Sequence, residues 1–297
     1  MKRLSDKQDG AKPEWLCDLH LHSTCSDGTD SPRAVVQRAV SKGLQAVALT
    51  DHDTVSGLEE FHQAGCEYGV ETISGVEITA EAAGREVHML GYFVDIHSSA
   101  LIGVLKEQED HRLQRLERMI AKLRDKGLAI ADDDLAPHAE SGTVGRPHLA
   151  MILVEKGYAS SIDDAFAKYL GRSGTAYVEK PRMPAREAIA LIRSSGGVAV
   201  LAHPAISHVD SSLRHLVDLG LQGLEVWHIS HSAQDSARYL KVSENLGLLP
   251  TGGSDCHGRL KGAELMGKVR VSYDRLESLK KLTRTDSGSA ATPDRDF

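Results

Sequence analysis

Short apolar runs that close on an imidazole or a carboxylate recur along this chain, and that recurrence limits the folds open to it. The first is Cys17-Asp18-Leu19-His20-Leu21-His22, with Asp27 just beyond. Side chains two residues apart on a strand point to the same side. His20 and His22 can therefore reach one cation, and Asp27 can add an oxygen ligand. Residues 46–50 run into Asp51-His52-Asp53, 71–76 into Glu77, 198–202 into His203, and 248–251 through two glycines into Asp255 and His257. His88 belongs to a further run over 86–93, read as the fourth strand. Continuous apolar runs mark buried parallel strands, and in a parallel β/α barrel all strand C-termini share the face that carries the site. A lone H-x-H fits a wet strand end as well as a ligand pair. Eight such residues in one position of the repeat, joined by Asp27, read as a metal centre. Imidazole with carboxylate suits Zn, Mn or Fe.

The connectors fit the same architecture. Ser31 as N-cap and Pro32 at the first helical position open a helix with Val35, Val36, Ala39 and Val40 on one face, ended by Gly43. Residues 57–68, 184–194 and 233–246 are also helical in character. The rhythm breaks where Leu105, Leu116, Met119, Ile120 and Leu123 keep helical spacing, and 146–156 and 162–170 continue in that manner. The expected fold class is α/β: a distorted barrel of about seven β/α units over 14–97 and 179–283, interrupted by a helical cap insertion over 98–178. Residues 1–13 and 284–297 are expected to be disordered tails.

A chain of 297 residues accommodates one such barrel. Its formal net charge of −7 argues against binding long nucleic acid, because neutralising a phosphate backbone needs a broad basic surface. A small anionic substrate remains open. No apolar run approaches membrane length, so no membrane association is expected. Four cysteines without a C-x-x-C spacing, behind a start too polar for a signal peptide, point to a reducing, cytoplasmic setting. No feature sets an oligomeric state.

Taken together, the motifs resemble those of the PHP (polymerase and histidinol phosphatase) domain family of amidohydrolase-like barrels. Its D-L-H-x-H-S-x-x-S-D-G stands at 18–28, its T-D-H-D at 50–53 and its G-x-E at 75–77. Later motifs stand at His88, at Ala202-His203-Pro204 and at Ser254-Asp255-Cys256-His257, so the likeness spans nearly the whole expected ordered chain. The resemblance implies three divalent metal ions. One would take His20, His22, Glu77 and His257; a second would share Glu77 and add His88 and His203; a third would take Asp27, His52 and Asp255. A metal-bound hydroxide would be the nucleophile, leaving Ser23 and Cys25 structural. Asp51 and Asp53 are expected to hydrogen-bond the imidazoles, and Gly252 and Gly253 to permit close backbone approach.

The subfamily most resembled is that of the nucleoside 3′,5′-bisphosphate phosphatases and 5′→3′ exoribonucleases, in which a helical insertion covers the metals and supplies basic groups. The candidates here are Arg112 and Arg115 on the long helix, and Arg146 and His148 in the Gly-Arg-Pro turn that opens the next one. Any of the arginines spaced every three residues at 112, 115 and 118 could equally face solvent. His231, near His228 at the end of the sixth strand, is a further candidate, and Asp132-Asp133-Asp134 is expected to cap a helix or face solvent. The resemblance implies hydrolysis of nucleotide phosphate esters, either nucleoside bisphosphates or short 5′-phosphorylated RNA. Histidinol phosphate phosphatase and a non-catalytic metal-binding module are the alternatives.

Overall fold

A computed structural model describes residues 16–135, 145–179, 182–259 and 264–286. The expected tail at 1–13, the residues beyond 286, and Trp15, read as opening the first strand, lie outside the described residues. Among the described residues the sheet has nine strands: β1 (Leu16–Leu21), β2 (Ala46–Leu49), β3 (Glu71–Ala82), β4 (Arg85–Tyr92), β5 (Met183–Pro184), β6 (Val198–Leu201), β7 (Gly223–His228), β8 (Leu249–Gly253) and β9 (Val271–Ser272). Seven of them follow the order β1-β2-β3-β4-β6-β7-β8. A parallel bridge between Leu21 and Cys256 brings the chain after β8 back against β1, with the His22 amide donating to the Cys256 carbonyl at 3.0 Å. The barrel is thus nearly closed, and β5 and β9 are two-residue additions to it. Gly253 permits the closure: a Cβ there would lie 2.4 Å from the His20 amide nitrogen.

Of the seven barrel strands, one departs from the expected parallel pattern, and the short β9 also pairs antiparallel with β1. β4 runs antiparallel to both β3 and β6. The two-residue loop Ala83-Gly84 has φ of 50° and 72°, the left-handed pair a tight hairpin turn requires. Glu77 therefore lies inside the long β3, and His88 in the first half of β4, rather than at strand C-termini. The reversal preserves the site, because a reversed strand begins where its parallel neighbours end. Pairing of Thr79 with His88, and of Glu77 with Leu90, puts all four side chains on one face.

The barrel interior is packed by Leu19, Ala46, Leu90, Tyr92 and Val200, among others. Outside β1 and β2 lie α1 (Pro32–Ser41), capped by Ser31 as expected, and α2 (Leu58–Tyr68), packed through Val36 and Phe61. After β4 come α3 (Ser99–Asp125), α4 (Arg146–Glu155) and α5 (Ile162–Ala165), the last continuing as a π turn over Phe166–Leu170. The 27 residues of α3 span about 40 Å. Its first turns set Leu101 and Leu105 on the barrel, while Leu116, Met119 and Leu123 join Leu149, Leu153 and Leu170 in a separate core. One rigid rod thus ties the helical segment to the barrel wall. Between α3 and α4, the acidic run Asp132–Asp134 forms a 3₁₀ turn in which Asp132 is solvent-exposed and paired with Arg124, and Asp134 with Lys156.

The remaining helices are α6 (Ala185–Ser194), α7 (Pro204–Ser207), α8 (Leu213–Asp218), α9 (Ala233–Leu246) and α10 (Tyr273–Asp286). α10 runs past the tail boundary expected at 284, because Leu276 and Leu279 plug into the barrel interior and carry the helix onward. No helix among the described residues is long and apolar enough to cross a membrane.

Candidate metal centre

The site begins with an irregularity in β1. Cys17 and Leu19 face the barrel interior, yet the register shifts between Asp18 and Leu21. That extra residue resets the alternation: Leu21 packs outward under α1 and α2, while His20 and His22 point together toward Glu77. Asp18 pins the turn from behind, accepting from the amides of Ser254 at 2.8 Å and Gly267 at 3.0 Å.

Glu77, only 1% exposed, is the centre of the cluster. Its Oε2 lies 3.1 Å from His20 Nε2, 3.2 Å from His22 Nε2 and 3.3 Å from His52 Nδ1. Its Oε1 lies 2.7 Å from His88 Nδ1 and 3.1 Å from His203 Nε2. One carboxylate thus faces two sets of imidazoles with different oxygens. Asp255 Oδ1 joins the first set, at 3.1 Å from His22 Nε2 and 3.5 Å from His20 Nε2. Asp27 Oδ1 lies 3.2 Å from His257 Nε2, and His22, Asp27, His52 and His257 form a further group with ligand atoms within 4.8 Å of one another. All nine expected ligands therefore meet in one place. Their grouping departs from the expected one most plainly at two residues: Asp255 sits with His20, His22 and Glu77, and His257 with Asp27 and His52, while His22 borders both groups and His52 also stands with Glu77 and His88. The cause is local. Asp255 is left-handed, with φ of 51°, and His257 is turned by its Nδ1 hydrogen bond to the Asp255 carbonyl at 2.9 Å.

Two observations fit these residues to divalent ions. Both ring nitrogens of His22, Nδ1 of His52 and Nδ1 of His203 are buried without a hydrogen-bond partner among the described residues, and such groups are costly unless something binds them. The 3.1–3.5 Å separations around His20, His22, Glu77 and Asp255 also match the roughly 3.4 Å between neighbouring ligands of an ion with bonds near 2.1 Å and tetrahedral angles.

Charges inside the cluster hold one another. At Glu77 burial favours the neutral acid, but the facing imidazoles of His52, His20 and His88 outweigh it and keep the carboxylate well below its usual range. Asp27 and Asp255 are depressed in the same manner against burial, chiefly by His257. Burial likewise opposes the His22 imidazolium, but the facing carboxylates of Asp255 and Glu77 hold it up at about 9. His52, where burial wins, falls to about 3.

The residue the sequence reading missed is Glu225, fully buried on β7. It accepts from His20 Nδ1 at 2.9 Å and from the His203 amide at 2.8 Å. The first bond fixes the tautomer of His20, leaving Nε2 free to face Glu77. A lone carboxylate amid the apolar run 223–227 was its sequence signal. That role had been expected of Asp51 and Asp53, which instead hold backbone. Asp51 accepts from the Ser23 amide at 2.7 Å and from the Ser23 and Ser26 hydroxyls at 2.6 Å each. Asp53 accepts from the Thr79 amide at 2.9 Å and pairs with Arg112.

The basic candidates separate. Arg112 is engaged by Asp53, so its charge is matched within the protein. Arg115 donates Nε to the Val178 carbonyl at 2.6 Å and stacks on Tyr177, and burial followed by the like charge of Arg146 lowers it to about 10. Arg115 and Arg146 line a cavity of about 140 Å³ that reaches Asp27, His52 and His88. Neither has a carboxylate within 4.0 Å among the described residues. His148 accepts from the Gly145 amide at 3.1 Å, within the turn that opens α4. His231 is held by the Val226 carbonyl at 2.9 Å against His228 and Tyr239, and borders neither cavity at the cluster.

Comparison with known proteins agrees with this geometry. The pattern of the PHP domain matches residues 18–215. A 3′,5′-nucleoside bisphosphate phosphatase of Chromobacterium violaceum is 33% identical over 256 residues, covering 84% of this chain and 90% of the relative. A 5′-3′ exoribonuclease of Escherichia coli (strain K12) is 33% identical over 263 residues, covering 86% and 89%. A solved structure from Bifidobacterium adolescentis, described as a metal-dependent phosphoesterase, superposes with a TM-score of 0.83 at 34% identity, covering 89% of this chain and 94% of that one.

Proposed function

The chain belongs to the PHP domain family, and on that premise we propose that it is a metal-dependent phosphoesterase acting on nucleotides that carry a second phosphate: nucleoside 3′,5′-bisphosphates or short 5′-phosphorylated oligoribonucleotides. Three divalent ions would be held by His20, His22, Glu77 and Asp255; by Glu77, His88 and His203; and by Asp27, His52 and His257. When bound, such ions supply Lewis acidity toward phosphate oxygens and lower the pKa of water from about 15.7 toward about 7.

The chain's own residues do the rest. Glu225 and the Asp255 carbonyl hold the outer nitrogens of His20 and His257, so that the inner nitrogens face the cluster. Ser23 Oγ is committed to Asp51, and burial raises the Cys25 thiol. Neither is placed as a nucleophile, so the phosphoryl group passes directly to water. Arg115 and Arg146 would grip a phosphate, a task suited to guanidinium. Their position carries the proposal: two arginines with no carboxylate within 4.0 Å among the described residues, in a cavity that opens on His52 and His88 and is bordered also by Glu86 and Arg112. A histidinol phosphate phosphatase would need only one phosphate site.

Phosphate release from metal-loaded enzyme tests this on a panel of nucleoside 3′,5′-bisphosphates, 5′-monophosphates, histidinol phosphate and short 5′-phosphorylated RNA. Bisphosphates or 5′-phosphorylated RNA should be preferred at least tenfold. Preference for histidinol phosphate would overturn the reading. No release from any ester, with metals bound, would identify a non-catalytic module.

A further inference from the structure

A second cavity, of about 750 Å³, adjoins the first along Asp27, His52 and His88 and is bounded further by Glu77, His203, Asp255 and His257. Away from the cluster its lining is mainly apolar: Pro147, Ile162 and Phe166 from the helical segment, with Ser161 and Asp163 beside them, and Ile206 from the barrel. Ile206 is 52% exposed, more than Val40, Tyr68, Ile102 or Leu113, the other large apolar side chains exposed among the described residues. It joins none of the four core clusters. The turn that carries it is fixed by the site itself, for the Ile206 amide donates to the carbonyl of His203 at 2.9 Å, and His203 reaches Glu77. Ile206 is thus held at the mouth of the centre.

Phe166 faces it from a second unusual element. It begins the π turn, closed by the Gly171 amide on the Phe166 carbonyl at 2.7 Å, and such turns recur at functional sites. Phe166 borders both cavities, with the Arg146 guanidinium 5.7 Å from its ring centroid.

We propose that Phe166, Ile162 and Ile206 form the nucleobase site of the substrate, a deepening that rests on the nucleotide reading above. A flat heteroaromatic ring would lie between Ile206 and the Phe166–Ile162 wall, with its phosphates on the cluster and on Arg146. The volume lies in the range of small-ligand sites. An aromatic and aliphatic wall beside a phosphate site is what a base needs, since every base presents a π-face whatever its edge.

The test compares a nucleotide with its abasic counterpart. Binding of adenosine 5′-monophosphate and of ribose 5-phosphate is measured by calorimetry on chelator-treated protein. Turnover is measured on metal-loaded enzyme with adenosine 3′,5′-bisphosphate and with the same sugar bisphosphate lacking the base. Wild-type protein should favour the nucleotide about five- to a hundredfold in both readouts. Ile206→Ser, at an exposed position, and Phe166→Ala should bring that ratio toward one, and Phe166→Tyr should restore it. Equal use of both substrates by the wild type, or equal losses on both in the variants, would overturn the base site while leaving the nucleotide reading standing. Failure to hydrolyse any nucleotide, with another phosphate ester cleaved, would overturn both.

Discussion

Glu225→Gln is the sharpest perturbation the geometry offers, because it changes one atom in a side chain that touches no substrate. The two carboxylate oxygens of Glu225 each accept a hydrogen bond, from His20 Nδ1 at 2.9 Å and from the His203 amide at 2.8 Å. Glutamine keeps the shape but has only one acceptor, so its NH₂ must face a donor. One charge-assisted bond is lost in a fully buried setting, a cost of roughly 1.5–3 kcal/mol. At about 1.4 kcal/mol per decade, metal affinity should fall about tenfold to a hundredfold. The loss should be confined to the ions facing Glu77, since Asp27, His52 and His257 do not contact Glu225. Competition with a chromogenic chelator, with elemental analysis of what the protein retains, gives the affinity classes; circular dichroism confirms the fold. A folded variant that holds every ion within twofold of wild type would refute the tautomer-fixing role. Uniform weakening of all classes would show that Glu225 acts only through general stability.

Two further predictions rest on separate contacts. Arg146→Ala should leave metal content intact but lower kcat/KM on a nucleoside bisphosphate about tenfold to a hundredfold, with a smaller loss on a generic monoester such as p-nitrophenyl phosphate; equal losses on the two would remove the argument for a second phosphate. His62, away from the cluster, lies with Nδ1 2.8 Å from Thr72 Oγ1 and Nε2 2.8 Å from Ser74 Oγ, and burial lowers its pKa. The folded state therefore favours neutral imidazole: its contribution to stability is present above the unfolded value of about 6.5 and is lost as pH falls through the folded value. An NMR titration of the ring should show a midpoint below 6.5, and a midpoint at or above it would refute the assignment.

The clustering of the candidate ligands was legible because metal chemistry restricts residue types and because apolar runs announce strands. The direction of β4 was not. Ala83-Gly84 lacks the Asn-Gly or Asp-Gly of a typical two-residue hairpin, and the run containing His88 reads as one more parallel strand. Asp51 and Asp53 looked like partners for imidazole because they flank His52 in sequence, but the chain has left β2 there and turns their carboxylates onto the amides of Ser23 and Thr79. The residue that does hold His20 lies 205 positions away on β7, and only the closure of the barrel brings it there. Arg112, one helical turn from Arg115, looked equivalent to it in sequence. The structure separates them, since only Arg112 finds a carboxylate, and that carboxylate comes from the loop after β2.

The exchange of Asp255 and His257 follows from the same closure. Strand spacing places residues 255 and 257 on one side and cannot say which set each should join. The bridge at Leu21 and Cys256 pins the residue between them against β1, so whatever precedes it must face back toward His20 and His22. The left-handed backbone at Asp255, unusual for a residue with a side chain, makes that turn and presents its carboxylate to His22 Nε2 at 3.1 Å. His257, beyond the bridge, is carried toward the loop that holds Asp27, and the Asp255 carbonyl fixes which of its nitrogens points there. A single bend thus orients candidate ligands of two different groups. The bend depends on Gly253, whose missing Cβ lets the chain pass against His20, so the backbone that closes the barrel is also the backbone that divides the cluster.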